Sequence, residues 1–292
     1  MKFEHEWIQA TLDGIDVVNT RNAYKHGIVM FWKWYINQGQ PDLTLHVMNR
    51  FKRFMQDNNF ATKTIGIALS AIKLALDTNA RPEETKERLD LQDIRQRLTI
   101  KTVKSDNYSV RLSVEERDKI LATCPCNLMG KRDLAVLTLL FYGGLRRGEI
   151  AKLDLKDYDN IHGMLFIREA KHHKDRAIPL HPLVISRIEA WLEIREQIAT
   201  CSGLFVNVER KSKGMQLSGM NVYNIMTKYC NEAGIAHYHP HDCRSTYITM
   251  LHDNHVPVGD IQALAGHSNA QTTMSYVRID FNNLRKAILT LE

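Results

Sequence analysis

Residues 133–150 read DLAVLTLLFYGGLRRGEI, and the second half of the chain is read outward from this stretch. From Asp133 to Tyr142 the chain is strongly apolar and reads as a helix. Gly143-Gly144 stops it, because glycine supplies the left-handed conformation on which helices end. Arg146 follows the stop and stands near the start of the next helix. Glu149 lies three residues on, so the two side chains share a face and can pair. A buttressed arginine at a helix start suits an anion. Taken alone, the pair reads as well as a structural salt bridge, and exposed pairs of that kind contribute little energy.

On the C-terminal side, Met164 to Ile167 and Arg176 to Leu180 predict a short strand pair around the polar tip Lys171 to Asp175. Helices are predicted from Pro182, Ser218, Pro240 and Pro257. On the N-terminal side, Ser113-Val114-Glu115-Glu116 predicts a capped helix start with acids in its first turn. Ile100 to Arg111 (IKTVKSDNYSVR) is polar and basic and breaks the periodicity, which reads as an interdomain linker at 101–111 or as a surface loop inside one domain.

The first hundred residues predict a small helical bundle. Tyr24, Ile28, Phe31, Trp32 and Tyr35 recur at helical spacing, with Lys25 and Lys33 off the stripe. Leu43 to Met55 and Thr62 to Leu76 give two further amphipathic stretches. Pro82-Glu83-Glu84 suits the opening of a fourth helix. The expected organisation is therefore a helical domain at 1–100, a linker at 101–111 and a mixed α/β domain at 112–292.

Composition narrows the class. The chain has 292 residues and a formal net charge of +6, which fits a nucleic-acid partner without establishing one. No run of 18 apolar residues predicts a membrane span. The opening MKFEHEWIQATLDG has acids and no apolar core, so no signal peptide is expected and the cytoplasm is the default. Five irregularly spaced cysteines predict reduced thiols and no zinc site.

Three further pieces carry chemistry. His241-Asp242-Cys243-Arg244 places His241 and Arg244 at i and i+3, a proton donor or acceptor beside a phosphate clamp, or a capping histidine beside a surface arginine. Lys171 at the hairpin tip is either solvated or a proton donor to a leaving oxygen held against it. In GHSNAQTTMSY (266–276), Ser268 to Gln271 has capping-box spacing and His267 precedes it. On a straight helix Tyr276 would stand roughly 13 Å along the axis from His267, at about 1.5 Å per residue. Either the helix breaks near Thr272 to Met274 or Tyr276 reaches another site. As a lone feature Tyr276 also fits packing under a C-terminal helix.

Taken in order, Arg-x-x-Glu, a hairpin lysine, His-x-x-Arg, Gly-His and a tyrosine nine residues after that histidine resemble the tyrosine recombinases of the phage integrase family, in particular its short Xer-like members. The resemblance implies a mainly α fold with a small β-sheet. It pairs an N-terminal helical core-binding (SAM-like) domain with a mixed α/β catalytic domain and a C-terminal tail helix. It implies a site-specific recombinase that cleaves and rejoins DNA through a 3'-phosphotyrosyl intermediate. Arg146 and Arg244 would clamp the scissile phosphate and Lys171 would be the general acid. His241 and His267 would assist proton transfer and the transition state, Tyr276 would be the nucleophile, and Glu149 would orient the site.

No cofactor, metal or ATP is implied. The implied partners are double-stranded DNA carrying a specific recombination site, three further copies in a synaptic homotetramer, and accessory proteins. Phe281, Leu284, Ile288 and Leu291 fall on one helical face, suited to a neighbouring subunit or to the chain's own core. Departures from the family pattern are His172 after Lys171, Ser245 after Arg244, and Cys243 at a usually apolar position. The competing readings are a type IB topoisomerase and a non-catalytic DNA-binding accessory protein.

Overall fold

In the computed structural model the chain divides into two compact units, Met1–Asn107 and Tyr108–Glu292. The residues described are 2–80, 85–98, 111–168, 175–236, 238–267 and 273. Lys171, Tyr276, the Ser268 to Gln271 cap, Pro82-Glu83-Glu84, residues 101–110 and the 281–291 segment lie outside them.

Five helices among the described residues build the first unit: α1 (Glu6–Asp13), α2 (Val18–Asn37), α3 (Leu45–Asp57), α4 (Thr62–Asn79) and α5 (Thr85–Arg97). The stripe on α2 packs as its spacing predicts. Ile28, Phe31 and Tyr35 are fully buried while Lys25 and Lys33 are exposed. Phe31 meets Phe51 of α3 edge-on at 5.0 Å and stacks on Tyr35 at 5.5 Å. The Tyr35 hydroxyl stays satisfied inside this aromatic core by donating to the Pro41 carbonyl at 2.7 Å. Helix α1 was not anticipated, because its buried face is only Ile8, Thr11 and Leu12.

The second unit runs α6 (Val114–Ala122), α7 (Leu128–Gly143), α8 (Arg147–Lys152), a 3-10 turn (Leu155–Asp157), β1 (Tyr158–Asp159), β2 (Met164–Ile167), β3 (Arg176–Pro179), α9 (Pro182–Arg195), α10 (Gly219–Glu232), α11 (Pro240–Asp253) and α12 (Val258–Ala265). Ser113 caps α6 in a reciprocal box: its Oγ accepts from the Glu116 amide at 3.1 Å, and Glu116 accepts from the Ser113 amide at 2.9 Å. Arg111, which the sequence reading placed in the linker, is ion-paired to Asp253 at the end of α11.

Helix α7 is the centre of this unit, with Val136, Leu137, Leu139 and Leu140 fully buried. It begins at Leu128, capped by Asn127, and not at Asp133 where the apolar run starts. Lys131, Arg132 and Asp133 are charged and add no apolar signal to the helix start. Arg132 is nonetheless buried, held by Asp133 at 2.7 Å and Glu209 at 3.2 Å, and Tyr229 donates to Asp133 at 2.9 Å. Pairing makes these charges tolerable in the interior and hides the helix start from a hydrophobicity pattern.

The strands form one antiparallel sheet in the order β1-β2-β3, with Leu165 opposite Ile178. Leu165 and Ile167 are buried and Phe166 is exposed, the period-two alternation of a half-covered sheet. Strand β1 has two residues and gives no sequence signal of its own. All five cysteines are free, and burial pushes the Cys230 and Cys243 thiols up, so both act as small apolar groups. No helix among the described residues is long and apolar enough to cross a membrane.

Candidate active site

Two left-handed glycines frame the site. Gly144 ends α7 at φ +60°, and a Cβ there would lie 2.2 Å from the Tyr247 ring. Gly266 ends α12 at φ +67°, and a Cβ there would lie 2.5 Å from an Arg176 nitrogen. Both positions need glycine for conformation and for close approach.

Beyond Gly144 the chain turns through buried Leu145 and delivers Arg146 as the N-cap of α8. Glu149 turns back on it. One carboxylate oxygen accepts from the Arg146 amide at 2.8 Å and the other from its Nη1 at 2.7 Å. The same carboxylate accepts two bonds from Arg176 of β3, at 3.2 and 3.0 Å. Glu149 is therefore not a surface partner: its side chain is 7% exposed, against 43% for Arg146.

Arg244 rises from α11 and is 2% exposed. Its guanidinium donates to the Gly144 carbonyl at 2.7 Å and to the Ala265 carbonyl. The end of α12 thus binds three different arginines through consecutive carbonyls: Leu264 accepts from Arg176 at 3.2 Å, Ala265 from Arg244, and Gly266 from Arg146 at 3.2 Å. The last carbonyls of a helix lack intrahelical partners and carry its negative dipole end, so cations settle there. Here they hold three guanidinium groups in one cluster.

His267 follows directly and is 8% exposed. Its amide donates to the Gln262 carbonyl at 3.1 Å, and the Gln262 side chain donates to the His267 carbonyl at 3.0 Å. Its Nδ1 meets the Thr273 hydroxyl at 2.8 Å. Burial, then the positive charges of Arg244, Arg146 and Arg176, push its pKa down to about 4, against a smaller opposing pull from Glu149. The ring is neutral at pH 7 in the free protein. His241 stands on α11 one turn before Arg244, exposed, with Ser245 Oγ donating to its carbonyl at 3.0 Å.

The depressed pKa of His267 predicts a pH signature. The unfolded chain takes up this proton near pH 6.5 and the folded chain near 4, so acid favours unfolding. The stabilisation is complete above pH 6.5 and is lost as pH falls towards 4, by about 3 kcal/mol in total. Denaturant titrations at pH 7 and 4.5 are expected to show wild type losing more stability on acidification than His267→Gln. Equal losses would mean that His267 titrates normally.

Four of the seven residues singled out by sequence are brought together here: Arg146, Glu149, Arg244 and His267. His241 shares the helix of Arg244, while Lys171 and Tyr276 fall outside the described residues. Arg176 was read only as part of a strand. Its signal was a charged residue on the same face as buried Ile178, two positions along β3. Thr273 carried no signal, since only the fold brings it to His267.

The model of the phage integrase family matches residues 110–283. The tyrosine recombinase XerA of Thermococcus kodakarensis is 29% identical over 269 residues, 92% of this chain and 88% of that protein. Among solved structures, XerH site-specific recombinase bound to a palindromic difH substrate superposes with a TM-score of 0.74 at 19% identity, covering 92% of this chain and 79% of that one. The Tn1549 transposon integrase in complex with transposon right end DNA gives 0.71 at 18% identity, covering 100% and 99%. At these identities the structural likeness speaks for the fold, a helical first domain followed by a mainly helical domain with a small sheet, as in the tyrosine recombinases. One family model spans more than half of the chain and takes in the whole arginine centre, so the chain belongs to the phage integrase family.

Proposed function

We propose that this protein is a site-specific tyrosine recombinase acting on double-stranded DNA. The observation that carries the reading is the cluster of three arginines held on consecutive carbonyls beside a buried neutral histidine. A phosphodiester gains negative charge as a nucleophile adds, and preorganised guanidinium groups stabilise that state. Arg146 and Arg244 bind the non-bridging oxygens. Tyr276 attacks the phosphorus, and Lys171 supplies the proton that the departing 5' oxygen needs. His267 and His241 assist proton transfer. The product is a 3'-phosphotyrosyl bond that conserves the energy of the broken ester, so rejoining runs the same step backwards without ATP.

In this reading the first hundred residues are a core-binding DNA domain, and the catalytic domain begins near residue 112. Four copies synapse two duplexes, each passing its 281–291 segment to a neighbour, and accessory proteins direct the outcome. The work is done in the cytoplasm.

A test starts from duplexes that the protein selects by binding from a random-sequence pool. These are nicked so that a released fragment cannot religate, and incubated with EDTA and no nucleotide. The expected result is a protein–DNA band that survives denaturing electrophoresis. Tight, specific binding without any such band would contradict the reading and leave a DNA-binding protein that does not cut.

A further inference from the structure

Arg176 differs from both arginines of the phosphate clamp in its partners: its Nη1 and Nη2 both donate to Glu149 while its Nε donates to the Leu264 carbonyl at 3.2 Å, so all three of its nitrogens are committed within the protein. A planar fork with two nitrogens on one carboxylate is a geometry that arginine makes and lysine does not. A Cβ at Gly266 would lie 2.5 Å from an Arg176 nitrogen, so a larger residue there would have to displace the guanidinium.

The charge balance of the cluster gives this placement a consequence. A single Glu149–Arg146 pair would orient Arg146 and also neutralise it, which defeats its use on an anion. With Arg176 on the same carboxylate, the negative charge of Glu149 is shared. Three guanidinium groups and one carboxylate leave the centre two net positive charges, and Arg146 is oriented without being neutralised. We infer that Arg176 is a positioning residue for strand cleavage: by sharing the Glu149 carboxylate it frees the charge of Arg146 for the scissile phosphate, and it anchors β3 to the end of α12. This rests on the recombinase reading above.

The test uses the full-length protein and the nicked duplex selected by binding. Arg176→Met, Arg176→Lys and Glu149→Gln are compared with wild type for thermal stability, gel-shift affinity and single-turnover cleavage rate. Arg176→Met is expected to bind DNA as wild type does and to cleave about 10- to 100-fold more slowly, less than the about 10²–10³ of losing a direct donor. Arg176→Lys, which keeps the charge and loses the fork, is expected between Arg176→Met and wild type. In a Glu149→Gln background there is no carboxylate to share, so adding Arg176→Met is expected to slow cleavage by less than threefold. Residues acting through one partner are non-additive in this way, whereas a merely structural role multiplies through.

Wild-type rates in a folded Arg176→Met protein would overturn the inference, as would a full multiplicative loss in the double variant. A fall in DNA affinity matching the fall in rate would also overturn it, since that marks a direct phosphate contact. If wild type itself forms no covalent product, the recombinase reading fails first.

Discussion

Replacing Arg244 by alanine is expected to slow single-turnover strand cleavage by about 10²–10³, the range found when one preorganised donor is removed from a developing oxyanion. The size of the effect follows from where Arg244 sits. It is 2% exposed and fixed by the Gly144 and Ala265 carbonyls, so in the proposed reaction its charge would meet a phosphate with little reorganisation. It also joins the end of α7 to the end of α12. Alanine leaves two carbonyls without that donor, at on the order of 1–3 kcal/mol each where they stay buried. The variant is therefore expected to melt lower as well as to cleave slowly. Arg244→Lys separates the two effects. It restores a positive charge but cannot hold both carbonyls in one planar group, so stability is expected to recover further than rate. A folded Arg244→Ala protein with wild-type cleavage would remove Arg244 from the phosphate clamp.

The second large effect is expected at Tyr276. Tyr276→Phe removes one oxygen and keeps the ring, so folding and DNA affinity are expected to be unchanged while covalent product falls below detection. Arginine is not a nucleophile at neutral pH, and His267 is buried against Thr273, so neither replaces that oxygen. A phenol has a reference pKa near 10 and so depends on adjacent cations to attack at pH 7. In the proposed reaction the Arg146 and Arg244 clamp would supply that field. The comparison is made by denaturing gel beside a gel shift, with both proteins at matched occupancy. A residual adduct in the phenylalanine variant would move the nucleophile elsewhere.

Much of the fold was legible in the sequence because the physical signals were local. The α2 stripe, the Ser113 box, the Gly144 stop and the prolines that open α9 and α11 each follow from spacing or from one residue's conformational preference. The misses have a common cause. Helix α7 begins five positions before its apolar run (Leu128 against Asp133), because buried Arg132 is neutralised by Asp133 and Glu209, and Glu209 is distant in sequence. Strand β1 exists only through its pairing to β2.

The site divides in the same way. The Arg146–Glu149 pair is three residues apart and could be read directly. Glu149's second partner, Arg176, lies on another element and needed the fold. The role of the α12 terminus was equally hidden, since no pattern in the chain says that Leu264, Ala265 and Gly266 each accept from a different arginine. Of the departures from the family pattern, Cys243 and Ser245 are fully buried. Cys243 fills the apolar position as a small hydrophobe, and Ser245 satisfies its hydroxyl on the His241 carbonyl.

The central claim is that this chain joins itself to DNA through Tyr276. Digesting the trapped adduct with nuclease and protease, then sequencing the nucleotide-bearing peptide by mass spectrometry, tests it most directly. The expected peptide spans Tyr276 and carries the nucleotide on the tyrosine oxygen through a 3' phosphate. A nucleotide on any other side chain, or a 5' linkage, would contradict the account.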